Sequence, residues 1–173
     1  RLYKGEAAPS AQIQWAGQDD SGANLPDGQY TYTLTAVDHA GNKTTTQPRI
    51  VLTDTNPPVV DFTVEPTLIS PNGDQKEARF HASEQDASEV EAWSLKIQDA
   101  KGKVVRHYEG AGALNGDLAW DGRSDTKEMI PDGPYACVFW TQDKAHNAVT
   151  LAAKTVTVGA SVPVISVAAS PSD

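Results

Sequence analysis

The 173 residues carry a formal net charge of -9, with 23 acidic side chains against 14 basic ones. That balance lacks the basic footprint that nucleic-acid phosphates require, and it disfavours anionic lipid as well. With one cysteine and no apolar run near the ~20 residues of a membrane helix, the sequence excludes an intrachain disulfide framework and direct membrane insertion by this segment.

Helical periodicity is nearly missing. Short alternating runs broken by Pro, Gly, Asn and Asp dominate, the pattern of an all-β chain. Residues 1–55 read as the back part of a β-sandwich. Residues 1–4 end a strand, 13–15 form a short one and 29–37 a long one, while 38–42 make a hairpin connection into a return strand at 44–53. Asp54-Thr55-Asn56-Pro57-Pro58 reads as a linker, stiffened by two prolines that cannot join a ladder.

A complete unit follows at 56–159. Val60, Phe62 and Val64 alternate with Asp61, Thr63 and Glu65 in a half-buried first strand. Ser70-Pro71-Asn72-Gly73-Asp74 is a turn by its chemistry. Ala78, Phe80 and Ala82 point inward on the second strand, with Glu77, Arg79 and His81 outward. Trp93, Leu95 and Ile97 form the core face of the third, and residues 99–102 turn it into 103–108. After a Gly-rich loop come 118–120, the Pro131-Asp132-Gly133 turn, a long strand at 135–142, a hairpin at 144–147 and a return run at 149–158. Seven strands with such turns favour a sandwich of the immunoglobulin-like or fibronectin III-like kind over a barrel.

Residues 15–42 recur without a gap at 120–147, 105 positions later. Trp15 falls on Trp120, Pro26-Asp27-Gly28 on Pro131-Asp132-Gly133, Tyr30 on Tyr135, Asp38 on Asp143 and Asn42 on Asn147. The offset extends outward, Arg1 and Tyr3 meeting Arg106 and Tyr108, and Pro58-Val59 meeting Pro163-Val164. A fixed period means one structural unit used in tandem. The expected organisation is therefore the C-terminal part of one repeat at 1–55, a complete domain at 56–159 and the first strand of a further repeat at 160–173. Partial units expose strand edges, and open edges seek partners, so self-association through them is expected.

Five motifs occur in order: Ser-Pro-Asn-Gly-Asp at 70–74, Ile-Gln-Asp-Ala-Lys-Gly-Lys-Val-Val-Arg at 97–106, Trp-Asp-Gly-Arg at 120–123, Pro-Asp-Gly-Pro-Tyr at 131–135 and Asp-Lys-Ala-His-Asn at 143–147. Together they resemble the Ig-like repeat at the C-terminal end of the flagellar hook-capping protein (the FlgD-type repeat). Such repeats occur in tandem in bacterial envelope proteins, some of which also carry an OmpA-like domain. The resemblance implies a non-catalytic, extracytoplasmic module, in the periplasm or associated with the outer membrane. The sequence departs from the pattern at Ala16 against Asp121 and at Gly41 against His146.

Each candidate for chemistry has a plainer reading. Asp27-Gly28 and Asp132-Gly133 are turn residues ahead of a core strand. Asn72, Asp74 and Asp99 could suggest calcium, but the loop has a single carboxylate and its spacing fits no EF-hand. Asp54 and Asn56 raise the same thought in the first linker, yet residues 159–163 of the second contain no carboxylate, so neither a metal nor a cofactor is expected. His39, His81, His107 and His146 have no ligand spacing, and Cys137 alternates in phase with Tyr135 and Phe139 as a buried small hydrophobe. No nucleophile motif supports an enzyme.

One face is unexplained by the fold alone. Ala136, Val138 and Trp140 stand where the earlier copy has Thr31, Thr33 and Thr35, an apolar outward patch that is either covered by residues 110–117 or a neighbouring unit, the plainer and preferred reading, or a candidate interface. Three readings follow. The leading one is a structural spacer or stalk of a bacterial envelope protein. The second is an adhesive or assembly module that binds another envelope protein through an edge strand or the Trp140 face. The third, a glycan-binding module, has only Trp140 to offer.

Overall fold

The computed structural model describes residues 1–5, 12–73, 76–85, 89–114 and 116–160, with the backbone alone at 85. The expected first strand at 160–173 lies outside the described residues except for Ala160. The chain divides into two compact units, Arg1–Asn56 and Pro57–Asp173. No helix occurs among the described residues; every regular element is a strand.

In the first unit, β1 (Gly28–Tyr32), β2 (Thr35–Val37), β3 (Lys43–Thr45) and β4 (Arg49–Thr53) form two antiparallel ladders. β1 pairs with β4, placing Gly28 opposite Thr53, and β2 pairs with β3, placing Thr35 opposite Thr45. The strand expected at 29–37 is therefore broken after Tyr32, and the return run is broken between β3 and β4. Residues 1–4 and 13–15 form no strand. Their counterparts in the second unit are strands because they pair with β8 and β7 there, and the first unit has no described element in those places.

The second unit comprises β5 (Val59–Glu65), β6 (Leu68–Ile69), β7 (Ala78–Gln85), β8 (Val90–Gln98), β9 (Val104–Ala111), β10 (Leu118–Trp120), β11 (Gly133–Asp143), β12 (Ala148–Thr150) and β13 (Lys154–Val158). One sheet has the order β10-β7-β5; the other has the order β6-β13-β11-β8-β9, with β12 also on β11. Among the described residues nine strands appear where the sequence suggests seven. β6 is a two-residue parallel bridge to β13, and the return run is split at 151–153.

The core lies between the two sheets, supplied by the alternation that the pleat imposes. Phe62, Val64, Ala78, Phe80 and Ala82 from the smaller sheet meet Trp93, Leu95, Ile97, Tyr135, Cys137 and Phe139 from the larger, and all are buried. Phe62 stacks on Phe139 at 4.9 Å between centroids and on Phe80 at 6.0 Å, and Trp93 stacks on Phe139 at 6.3 Å. Aromatic pairs at such distances add to the area they bury, which makes Phe139 the centre of the sandwich. Gly110 on β9 is required by this packing: a Cβ there would lie 2.5 Å from the Trp93 ring.

The sequence period is also a period of geometry. Trp15 Nε1 donates to Gln18 O at 2.8 Å and Trp120 Nε1 to Arg123 O at 2.9 Å. The Tyr30 hydroxyl donates to Pro26 O, and the Tyr135 hydroxyl to Pro131 O, at 2.8 Å in both copies. The Trp15–Tyr30 and Trp120–Tyr135 pairs are edge-on, at 5.7 and 5.8 Å. What differs is burial. Trp120, Cys137 and Phe139 are fully buried, whereas Tyr32 and Leu34, which correspond to Cys137 and Phe139, are about half exposed.

Candidate interaction face

β11 is the longest strand, and its eleven residues alternate strictly. Tyr135, Cys137, Phe139, Thr141 and Asp143 are buried on one side, which leaves Ala136, Val138 and Trp140 on the outer side of the larger sheet, each half-buried. Registration fixes their neighbours. Trp140 lies between Ser94 on β8 and Thr150 on β12, Val138 lies opposite Lys96, and Ala136 opposite Gln98. One strand further out, His107 is level with Lys96 and Glu109 with Ser94. The three residues singled out in the sequence thus share one strand face.

Small residues beside a large one leave a depression. Ala92, Ser94 and Ala111 stand near Trp140, and an open groove of about 900 Å3 runs along them with Lys96, His107 and Glu109 among its polar lining. His107 Nε2 lies 3.8 Å from the Glu109 carboxylate, and with Lys96 level with His107 the polar lining carries charge of both signs. The groove offers an indole surface, hydroxyls and opposite charges.

The other candidates fall into place as structure. Cys137 is buried, and burial pushes its thiol up to about 12, far from thiolate chemistry. The Asp99 carboxylate accepts the Lys101 and Lys103 amides, both at 2.9 Å, which is turn work. Asn72 donates its side-chain amide to Ala160 O at 3.1 Å, while Asp74 lies outside the described residues. Among the histidines, His81 meets Asp117 and His146 meets Glu91, each at 3.1 Å, on separate parts of the surface. Among the described residues, no three metal-capable side chains gather.

Asp38 illustrates how these carboxylates are used. It accepts the Asn42 side-chain amide at 2.7 Å and the Asn42 and Ala40 backbone amides at 2.8 and 2.9 Å, and these bonds hold its pKa below the ordinary value. Asp143 repeats the arrangement with Asn147, whose backbone and side-chain amides donate at 2.9 and 3.0 Å. A feature not foreseen from sequence is Thr141. This buried hydroxyl on the core side of β11 donates to Glu84 at 3.0 Å and lies 3.2 Å from Ala92 O. Its counterpart is Ala36, so only the change of residue type between copies could have pointed to it.

No curated protein matches the sequence. Among solved structures, the chain is similar to dimeric latent PorU from Porphyromonas gingivalis, with a TM-score of 0.46 and 20% identity, over 80% of this chain and 13% of that one. It is also similar to the fibronectin(III)-like modules of CbhA from Clostridium thermocellum, with a TM-score of 0.39 and 16% identity, over 79% of this chain and 63% of that one. The chain thus spans less than two thirds of either. Residues 5–55 match the family described as a bacterial Ig-like domain, and the stretch one period later, 110–160, repeats the hydrogen bonds of that span.

Proposed function

We propose that this chain is a non-catalytic spacer: consecutive Ig-like units of the FlgD-type pattern, in an extracytoplasmic protein of a bacterial envelope, holding other parts of that protein at a set distance. The observation that supports it most is the repetition of one local architecture at a spacing of 105 residues, from the Trp–Tyr pair to the hairpin carboxylates. Units in series are a means of setting reach, because each adds length without adding chemistry. The bacterial Ig-like match at residues 5–55 favours the same reading, such domains being typically extracellular or surface-exposed. The test is to delete or duplicate one full period in the complete protein. A spacer tolerates replacement of a unit by an unrelated sandwich of equal length and responds to a change in number. Loss of function on equal-length replacement sinks the reading.

A second reading rests on the groove beside Trp140. An assembly module would use this face, or an edge strand, to bind a protein partner. Trp140→Thr restores the residue of the earlier copy and keeps a strand former in place. If this face is an interface, the substitution abolishes partner binding while leaving the unfolding midpoint nearly unchanged. Unaltered binding removes the reading.

A further inference from the structure

In both copies the Pro-Asp-Gly carboxylate does more than shape its own turn. Asp27 accepts the backbone amide of Thr55 at 3.0 Å on Oδ1 and the Thr55 hydroxyl at 3.0 and 3.2 Å on its two oxygens. The side-chain amide of Asn56 donates to the other oxygen of the same carboxylate. Asp132 accepts the backbone amide of Ala160 at 2.7 Å. The two donors are 28 residues beyond their carboxylates in both cases and one period apart. Both follow the last strand of their unit, β4 and β13.

Two details show what the contact depends on. Thr55 becomes Ala160, so the hydroxyl is lost while the amide–carboxylate bond persists; the bond needs the aspartate and not the linker side chain. In the second copy a further motif residue joins in, because Asn72 of the Ser-Pro-Asn-Gly turn donates to Ala160 O at 3.1 Å. The first residue of the connection is thus held by its N–H and its C=O together. Two turns that the sequence marks by composition alone converge on the same linker residue.

We propose that this aspartate is a linker clasp, fixing the point at which each unit releases the chain and thereby limiting the freedom of the joint. The inference rests on the spacer reading and gives it a mechanism. With Asn56 held and Val59 already in β5, only Pro57 and Pro58 are left between the clasp and the next strand. Both have φ fixed by their rings. Releasing Asp27 adds Thr55 and Asn56, whose φ and ψ both rotate, to the stretch that can turn, while the Asn56 amide keeps its 3.1 Å bond to the Asp54 carboxylate.

The test uses the full 173-residue chain and its Asp27→Ala, Asp27→Asn, Asp132→Ala and Asn72→Ala variants. Amide exchange and 15N relaxation are followed at Thr55, Asn56 and Ala160, together with the rotational correlation time of each unit. Asp27→Ala is expected to speed exchange at Thr55 at least tenfold, to leave Ala160 unchanged and to shorten the correlation time of both units. Asp132→Ala does the converse at Ala160. Asp27→Asn, which keeps an acceptor oxygen, falls between Ala and wild type. Asn72→Ala leaves the Pro-Asp-Gly turn whole and still raises the mobility of Ala160, so the inference stays testable if the turn variants misfold. A Thr55 amide that exchanges freely in the wild type overturns the clasp. Faster exchange with unchanged correlation times confines it to a local contact and overturns its control of the joint. Neither result touches the spacer reading, which stands or falls on array length.

Discussion

Single residues carry much of this architecture, and two of them can be interrogated directly. Cys137 faces the core beside Phe139, and its thiol is pushed from 9.0 up to about 12 by burial. The unfolded chain loses the thiol proton at a lower pH than the folded one, so the contribution is complete below pH 9 and declines as pH rises above it. The decline is about 1.4 kcal/mol per pH unit, ending where the folded thiol itself ionises. Comparing urea midpoints of wild type and Cys137→Ala at pH 8 and pH 10.5 isolates this slope, since other titrating groups cancel. The alanine variant is expected to lose less stability than wild type over that interval. His146 tests the backbone. It has φ 69°, in the left-handed region, where the earlier copy has Gly41 at φ 87°. His146 already bears the cost this region imposes on a side chain, and the β-branch of valine adds to it, so His146→Val is expected to destabilise the second unit by on the order of 1 kcal/mol. His146→Gly is expected to stay within about 0.5 kcal/mol of wild type in the same denaturant titration, strain relief offsetting the added chain entropy.

Among the elements, strand edges decide whether units stay separate. β9 is an edge strand of the larger sheet, yet it is not open. The Asp125 carboxylate accepts the His107 amide at 3.1 Å, and the Asp125 amide donates to Val105 O at 3.0 Å. The first unit repeats half of this cover, with the Leu2 amide donating to Asp20 at 3.1 Å. An aspartate laid along an edge both occupies its groups and adds a charge against pairing, a recognised way of blunting aggregation. Asp125→Ala is therefore expected to raise the concentration-dependent mass seen by light scattering, with little change in the core. Equal mass at all concentrations would show that β9 is guarded by something else. This protection bears on where a partner strand could add. β5 pairs with β7 on one side, and it is the other long edge of the second unit.

Legibility from sequence also varied by element, and for physical reasons. The inward sets on β5, β7, β8 and β11 were readable because a pleat alternates strictly when one face is buried. Strand breaks were not. Residues 33–34 interrupt what reads as one continuous strand, and the isolated 13–15 segment lacks a ladder although its side chains have the right pattern. Pairing is a property of two segments, and alternation in one of them cannot supply the other. The Trp140 face was visible as a change of residue type between copies, while the groove beside it came from small residues on β8 and β9 that only registration brings near. The reach of Asp27 and Asp132 across 28 residues to the linker had no local signature at all.

For the molecule as a whole, repetition is the organising fact, and stability is unevenly shared. The second unit closes two sheets over Phe139, whereas the aligned side chains of the first remain about half exposed. Denaturant should consequently remove the described structure of the first unit before that of the second. Tryptophan reports the order: Trp15 marks one unit and Trp93, Trp120 and Trp140 the other, so Trp15→Phe is expected to eliminate the earlier fluorescence change alone.

The hairpin carboxylates have a kinetic consequence. Asp143 closes its loop through Asn147, four residues away, while the core joins Phe62 to Phe139 across most of the unit. Closing a short loop forfeits far less chain entropy than closing a long one, so the hairpin should be in place at the folding barrier and the sheet-to-sheet contact should not. Asn147→Ala would then slow refolding and leave unfolding nearly untouched, whereas Phe62→Ala would mainly accelerate unfolding, and a chevron for each variant reads the two apart. Because Asp38 and Asn42 carry the same clamp, each unit of a tandem array would bring its own starting point for folding, and a newly made chain could begin at every period independently.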